Sequence, residues 1–142
     1  FLRYAEGPAG DTRWQDGFLT VGEMGQLDAR GWLYLKGRRS RMVTVADQNV
    51  FPEDIEQHLL TLPGIAQCAV LPLPDQLRGQ HLVALVEGAG DAARARHIRL
   101  SCRDRLGAPS MPRRVIFLQR FPMLASGKPD LMALQIWLET SA

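Results

Sequence analysis

Gly37-Arg38-Arg39-Ser40-Arg41-Met42-Val43-Thr44-Val45-Ala46-Asp47-Gln48-Asn49-Val50-Phe51-Pro52-Glu53-Asp54-Ile55-Glu56 is the stretch that decides how this chain is read. A basic cluster ends inside it, and a β-branched run, Met42 to Val45, begins. The polar residues Ala46-Asp47-Gln48-Asn49 break that run as a turn would. Pro52 then suits the first position of a helix, where its fixed φ is preorganised and its missing N–H is not needed. Glu53, Asp54 and Glu56 follow in the first turns, where the helix dipole favours negative charge. The local prediction is junction, β-hairpin, helix, with one folding unit handing over to another.

Upstream, Gly7, Pro8 and Gly10 predict loop with one short strand over residues 1–16. Phe18 to Val21 has strand propensity. Gly22-Glu23-Met24-Gly25 and Asp28 to Gly31 read as turns, and Trp32 to Lys36 as a strand. Downstream, Ile55, Leu59 and Leu62 at helical spacing predict a helix from Pro52 to about Leu62, ended by Pro63-Gly64. A strand is expected from Ile65 to Leu73, with Cys68, Val70 and Leu71 in the core. A nearly all-apolar central strand follows from His81 to Glu87. A helix from Asp91 to about Leu106 shows Ala95, Ile98, Cys102 and Leu106 on one side. A third strand spans Arg114 to Gln119. Asp130 can cap a last helix, Leu131 to about Glu139. This order is α+β: a small open three-stranded sheet with helices on one face, preceded by a β-hairpin and a β-rich segment.

The chain has 142 residues, 46% hydrophobic and 23% charged, which is ordinary globular composition and not that of a disordered chain. A net charge of +2 does not by itself call for a polyanionic partner. No apolar run approaches the ~18 residues of a membrane helix. The start, Phe-Leu-Arg-Tyr-Ala-Glu, has neither Met nor signal-peptide form and reads as a chain cut from something longer. Cys68 and Cys102 sit in apolar patterns without metal-like spacing, so they are expected to be buried free thiols of a reducing, cytoplasmic protein. Nothing marks His58, His81 and His97 as a metal set. Trp14, Trp32 and Trp137 read as packing residues.

Gly37, Arg38, Asn49, Pro52 and Glu56 stand where a known junction has them. That junction separates the large and small domains of adenylate-forming enzymes: acyl-CoA synthetases, peptide-synthetase adenylation domains and luciferases. The resemblance continues through Leu62-Pro63-Gly64-Ile65, Ala69-Val70, Pro74-Asp75 with Arg78-Gly79, Pro112-Arg113 and Leu124-Ala125-Ser126-Gly127-Lys128. It implies that residues 1–40 are the last β segment of a large N-terminal domain with the hinge, and that 41–142 are the small C-terminal domain. The phosphate loop and acyl pocket of the large domain have no counterpart here. The resemblance further implies an ATP-dependent ligase that makes an acyl-AMP from a carboxylic acid and passes the acyl group to a thiol, CoA or carrier-protein pantetheine. ATP and Mg²⁺ would be held mainly by the large domain. Other acceptors, or a non-catalytic module docking a carrier protein or nucleic acid, are the alternatives.

Carried over residue by residue, the resemblance gives Lys128 the role of the catalytic lysine. A mobile ammonium that meets both the attacking and the bridging oxygen stabilises the charge that gathers on the α-phosphate. Taken alone, Lys128 is one more solvated loop lysine. Arg38 is implied to bond the ribose hydroxyls with its rigid donor fork. Glu23 is implied to accept from them, in Val21-Gly22-Glu23-Met24-Gly25, where the family has Thr-Gly-Asp-x-Gly. Arg41 occupies the hinge position, usually Asp or Lys, and is expected to be a charged, solvated pivot. Ala46 and Asp47 replace the glycine pair of the turn that faces the thiol acceptor, where glycines allow close backbone approach. Ser110 stands where a lysine is often found. Arg94, Arg96, Arg99, Arg103 and Arg105 make the second helix basic. That face suits nucleic acid, CoA phosphates or an acidic carrier protein, or is simply solvated with Asp91 and Asp104.

Overall fold

The computed structural model describes residues 13–15, 18–20, 22–77 and 79–141, the first of these, together with 18 and 19, through their backbone only. The expectations for residues 1–12, for Val21, for Arg78 and for the packing of Trp14 lie outside what is described.

Three two-stranded ladders precede the main sheet. β1 (Arg13–Gln15) pairs antiparallel with β2 (Phe18–Thr20). β3 (Glu23–Leu27) pairs with β4 (Leu33–Arg38), with a register shift between Met24 and Gly25. The Asp28 carboxylate accepts from the N–H groups of Arg30 and Trp32 and closes the connecting turn. A single 3-10 turn, Arg39–Arg41, leads to the hairpin of β5 (Val43–Val45) and β6 (Gln48–Val50). The β-branched run buries Val43, Val45 and Val50 on one side, while Thr44 and Asn49 bond each other on the other.

α1 (Pro52–Leu60) starts on Pro52 as the sequence predicts and buries Ile55 and Leu59, one turn apart. β7 (Cys68–Asp75), β8 (Gly79–Glu87) and β9 (Arg114–Leu118) form the main sheet. β8 is central; β7 runs antiparallel to it and β9 parallel. The parallel pair requires a crossover, which α2 (Ala92–Leu106) supplies. Asp91 caps α2 by accepting from the Arg94 N–H at 2.8 Å. Asp130 does the same for Ala133 at the start of α3 (Leu131–Ser141), at 3.0 Å.

The alternation of side chains along the sheet builds two cores. Val70, Leu82, Ala84 and Val86 face α1, α2 and the β5–β6 hairpin, together with Ile98, Cys68 and Cys102. Ala69, Leu71, Leu73, Val83 and Leu85 face α3 through Leu134, Leu138 and Phe121. The α+β class and the open three-stranded sheet match the sequence expectation, but the helices do not share one face. β7 and β8 are apolar on both sides, so the second face also needs a cover, and α3 provides it. The tryptophan expectation is also corrected: Trp32 is 65% and Trp137 38% exposed. Among the described residues no helix is long and apolar enough to cross a membrane.

Candidate functional site

Antiparallel register places Glu23 directly opposite Arg38 across the β3–β4 ladder. The Arg38 Nε donates to Glu23 Oε1 at 2.9 Å, and both side chains remain open to solvent. The two residues assigned to the ribose are thus neighbours, a donor fork beside a carboxylate.

The chain then passes over the start of α1. The Arg38 N–H donates to Glu53 Oε1 at 3.2 Å. Gly37 has φ +150°, and a Cβ there would lie 2.7 Å from Glu53 Oε2. The positive φ favours glycine at this position, and a Cβ there would push the Glu53 carboxylate aside. In the sequence Glu53 reads only as a helix-dipole acid. Its contact lies fifteen residues away and has no local signature.

Arg41 is not the solvated pivot the sequence suggests. Its side chain is only 23% exposed. It donates to both oxygens of Glu56, at 2.9 and 2.7 Å, and to the Val70 carbonyl at 3.2 Å; Glu53 Oε1 lies 3.5 Å away. Glu56 Oε1 also accepts the Val70 N–H at 2.8 Å. Burial opposes the charge of the guanidinium, but the Glu56 bonds and the charges of Glu56 and Glu53 outweigh it and hold the group above the ordinary arginine value. The planar fork of Arg fits this bidentate pairing, and the whole cluster is anchored to α1 and β7.

Ala46 and Asp47 are the two central residues of the β5–β6 turn, with Val45 paired to Gln48. Both have positive φ, +47° and +61°. Two-residue hairpins of this kind ask for φ > 0 at both positions, which explains why glycines fit here and why Asp is tolerated better than Ala. The turn is exposed and borders a cleft of about 380 Å³ with Thr44, Leu77, Gly79 and Gln80.

Lys128 sits on a separate hairpin. The Leu124 N–H donates to the Lys128 carbonyl at 2.8 Å and the Gly127 N–H to the Leu124 carbonyl at 2.9 Å. Gly127, at φ +77°, takes the left-handed position of a three-residue loop. Met123 and Pro129 bridge behind it. The Lys128 side chain is exposed, and among the described residues its ammonium has no hydrogen-bond or ion-pair partner.

The arginines of α2 divide. Arg94 is spent on the Ala89 and Gly64 carbonyls and on the Phe117 ring, 5.7 Å from its centroid. Arg99 bonds the Pro112 carbonyl and Arg103 pairs with Asp104. Arg96, Arg99 and Arg103 also face Arg113 and Arg114 across a groove of about 800 Å³. The cysteines are buried and free; desolvation pushes the Cys68 thiol up to about 12 and that of Cys102 to about 11.

Comparison with known proteins agrees with this geometry. The family described as AMP-binding enzyme C-terminal domain matches residues 54–128, just over half of the chain. An uncharacterized acyl-CoA ligase of Bacillus subtilis, YhfT, is 35% identical over 126 residues, covering 89% of this chain and 26% of that protein. Among solved structures, the amide bond synthetase McbA from Marinactinospora thermotolerans superposes with a TM-score of 0.74 at 32% identity, covering 87% of this chain and 26% of the other. The o-succinylbenzoate CoA synthetase MenE from Bacillus subtilis, in complex with the acyl-adenylate OSB-AMP, gives 0.75 at 29% identity, covering 86% and 25%. The chain therefore spans about a quarter of the length of these relatives. By the family match, the fold and the Gly37-to-Glu56 junction, this chain belongs to the AMP-binding enzyme C-terminal domain family, the small domain of adenylate-forming enzymes.

Proposed function

We propose that residues 1–40 are the last β segment of a large adenylating domain and that 41–142 are the small domain of an ATP-dependent, cytoplasmic acid–thiol ligase. In the first step a carboxylate oxygen attacks the α-phosphorus of ATP, and the bond to the β-phosphate breaks to release pyrophosphate. In the second, a thiol of CoA or of carrier-bound pantetheine attacks the acyl carbonyl and AMP leaves. Glu23 accepts from, and Arg38 donates to, the ribose hydroxyls. Lys128 brings its ammonium to the attacking and bridging oxygens, where a preorganised charge lowers the barrier. Mg²⁺ would accompany ATP and shield its phosphates; among the described residues no group of three His, Cys, Asp or Glu comes together to hold a metal. The small domain then turns about the Arg39–Arg41 region, and the Ala46-Asp47 turn meets the acceptor, a two-state domain rearrangement.

The observation that carries this reading is the exposed Lys128 that closes the loop of its hairpin, its ammonium without a partner among the described residues, in a chain of this family. A docking module for a carrier protein or nucleic acid has no use for both that lysine and the Glu23–Arg38 pair. The test is ATP–pyrophosphate exchange by the full-length protein against a panel of carboxylic acids. Lys128→Ala should lower exchange by about 10²–10³ while sparing thioester formation from pre-made acyl-AMP. Equal losses in both steps would make Lys128 structural, and absence of exchange with every acid would refute the reading.

A second reading concerns the acceptor. The Asp47 carboxylate at the turn disfavours a thiolate and attracts an amine that arrives protonated and gives up a proton before it attacks the acyl carbonyl, and one similar structure is named an amide bond synthetase. Competing CoA against amines for one acyl-AMP separates the two.

A further inference from the structure

The contacts around the Arg39–Arg41 turn fall into two groups and one exception. On the N-terminal side, the Arg39 N–H is held by the Gly22 carbonyl at 2.8 Å, and Arg38 by Glu23. On the C-terminal side, Arg41 is held by Glu56 and Val70. Glu53, carried by α1, reaches back over the turn: its Oε1 accepts the Arg38 N–H, and its Oε2 fills the space a Gly37 Cβ would need. Among the described residues that second oxygen is buried without a hydrogen-bond partner, an arrangement that costs free energy where it stands. The carboxylate is held against the strand that carries Arg38, at the point where the two units join.

We propose that Glu53 is a positioning residue for the nucleotide: from α1 of the small domain it fixes the Gly37–Arg38 backbone and so aims the Arg38 guanidinium that faces Glu23. This rests on the reading that Glu23 and Arg38 receive the ribose. It adds that nucleotide affinity depends on a small-domain side chain that touches no part of the nucleotide. A turn of the small domain about Arg39–Arg41 withdraws Glu53 from Arg38, so ribose binding weakens as the second step begins.

The test uses the full-length enzyme in ATP–pyrophosphate exchange, with amide hydrogen exchange at Arg38 as a second readout. Glu53→Asp keeps the charge at the helix start but is one methylene too short to reach the Arg38 N–H. It should raise KM for ATP about tenfold, the worth of one such hydrogen bond, with kcat within about twofold, and speed exchange of the Arg38 amide. Glu53→Gln keeps an acceptor oxygen at the same reach and should leave KM within about twofold. A merely structural role would lower kcat and thermal stability at unchanged KM. An unchanged KM and an unchanged Arg38 exchange rate in Glu53→Asp, or equal impairment of both variants, would overturn the proposal. If wild type shows no exchange with any acid, the functional reading fails instead, and the Arg38 amide still reports whether Glu53 holds it.

Discussion

Replacing Arg41 separates an anchored cation from a solvated pivot. Arg41→Ala removes two charge-assisted bonds to Glu56, at 2.9 and 2.7 Å, and one to the Val70 carbonyl at 3.2 Å. Glu56 keeps its bond from the Val70 N–H, but it and Glu53 remain as carboxylates only 17% and 18% exposed with their cation gone. Breaking a fully buried pair from one side costs ~3–5 kcal/mol. These groups keep some contact with water, so about 2–4 kcal/mol is expected for Arg41→Ala. Arg41→Lys keeps the charge but offers a point donor in place of a fork, and should lose about half of that. Urea unfolding of residues 1–142 measures both. A double-mutant cycle with Glu56→Gln should give a coupling energy of about 1–3 kcal/mol. A solvated pivot would instead lose no more than ~0.5 kcal/mol and show no coupling with Glu56. That outcome would refute the anchoring argument.

At the β5–β6 turn, Ala46→Gly should stabilise the chain by about 0.5–1 kcal/mol, because relief of left-handed strain outweighs the added freedom of the unfolded chain; lower stability in urea would contradict the observed φ values. In the full-length enzyme, Ala46→Gly/Asp47→Gly should speed thioester formation and leave pyrophosphate exchange unchanged; a large drop in the thioester rate would point to an acceptor that needs Asp47. Cys68 and Cys102 should resist a thiol reagent at pH 8 until denaturant is added, as buried thiols with raised pKa values do. Because those pKa values are raised from 9.0 in the folded chain, to about 12 and 11, their contribution to stability is present below pH 9 and is lost as pH climbs through that window; constant stability from pH 8 to 11 would contradict the burial.

The sequence by itself determined the elements whose causes lie within a few residues. Pro52 at the start of α1, Asp130 as a cap, the β-branched run before Ala46-Asp47 and the apolar run of β8 are local signals, and each became the element predicted. Lys128 and Arg38 were singled out only through the family resemblance, which rests on the short motifs around Gly127 and Gly37; both glycines have positive φ. The family, too, was reached from the sequence, by resemblance along the junction and through the motifs that follow it, and the family match over residues 54–128 agrees. Tertiary structure alone decided which face each helix covers. Helical periodicity says that α3 has an apolar side, but not on which side of the sheet the chain returns after β9. It also decided the state of Arg41 and the reach of Glu53. Arg41 meets its partners fifteen and twenty-nine residues away, and Glu53 meets Arg38 fifteen residues back. A charged residue in a polar stretch reads as solvated unless folding brings an opposite charge or a backbone dipole to it. That meeting depends on how α1 and β7 pack, which no local pattern records.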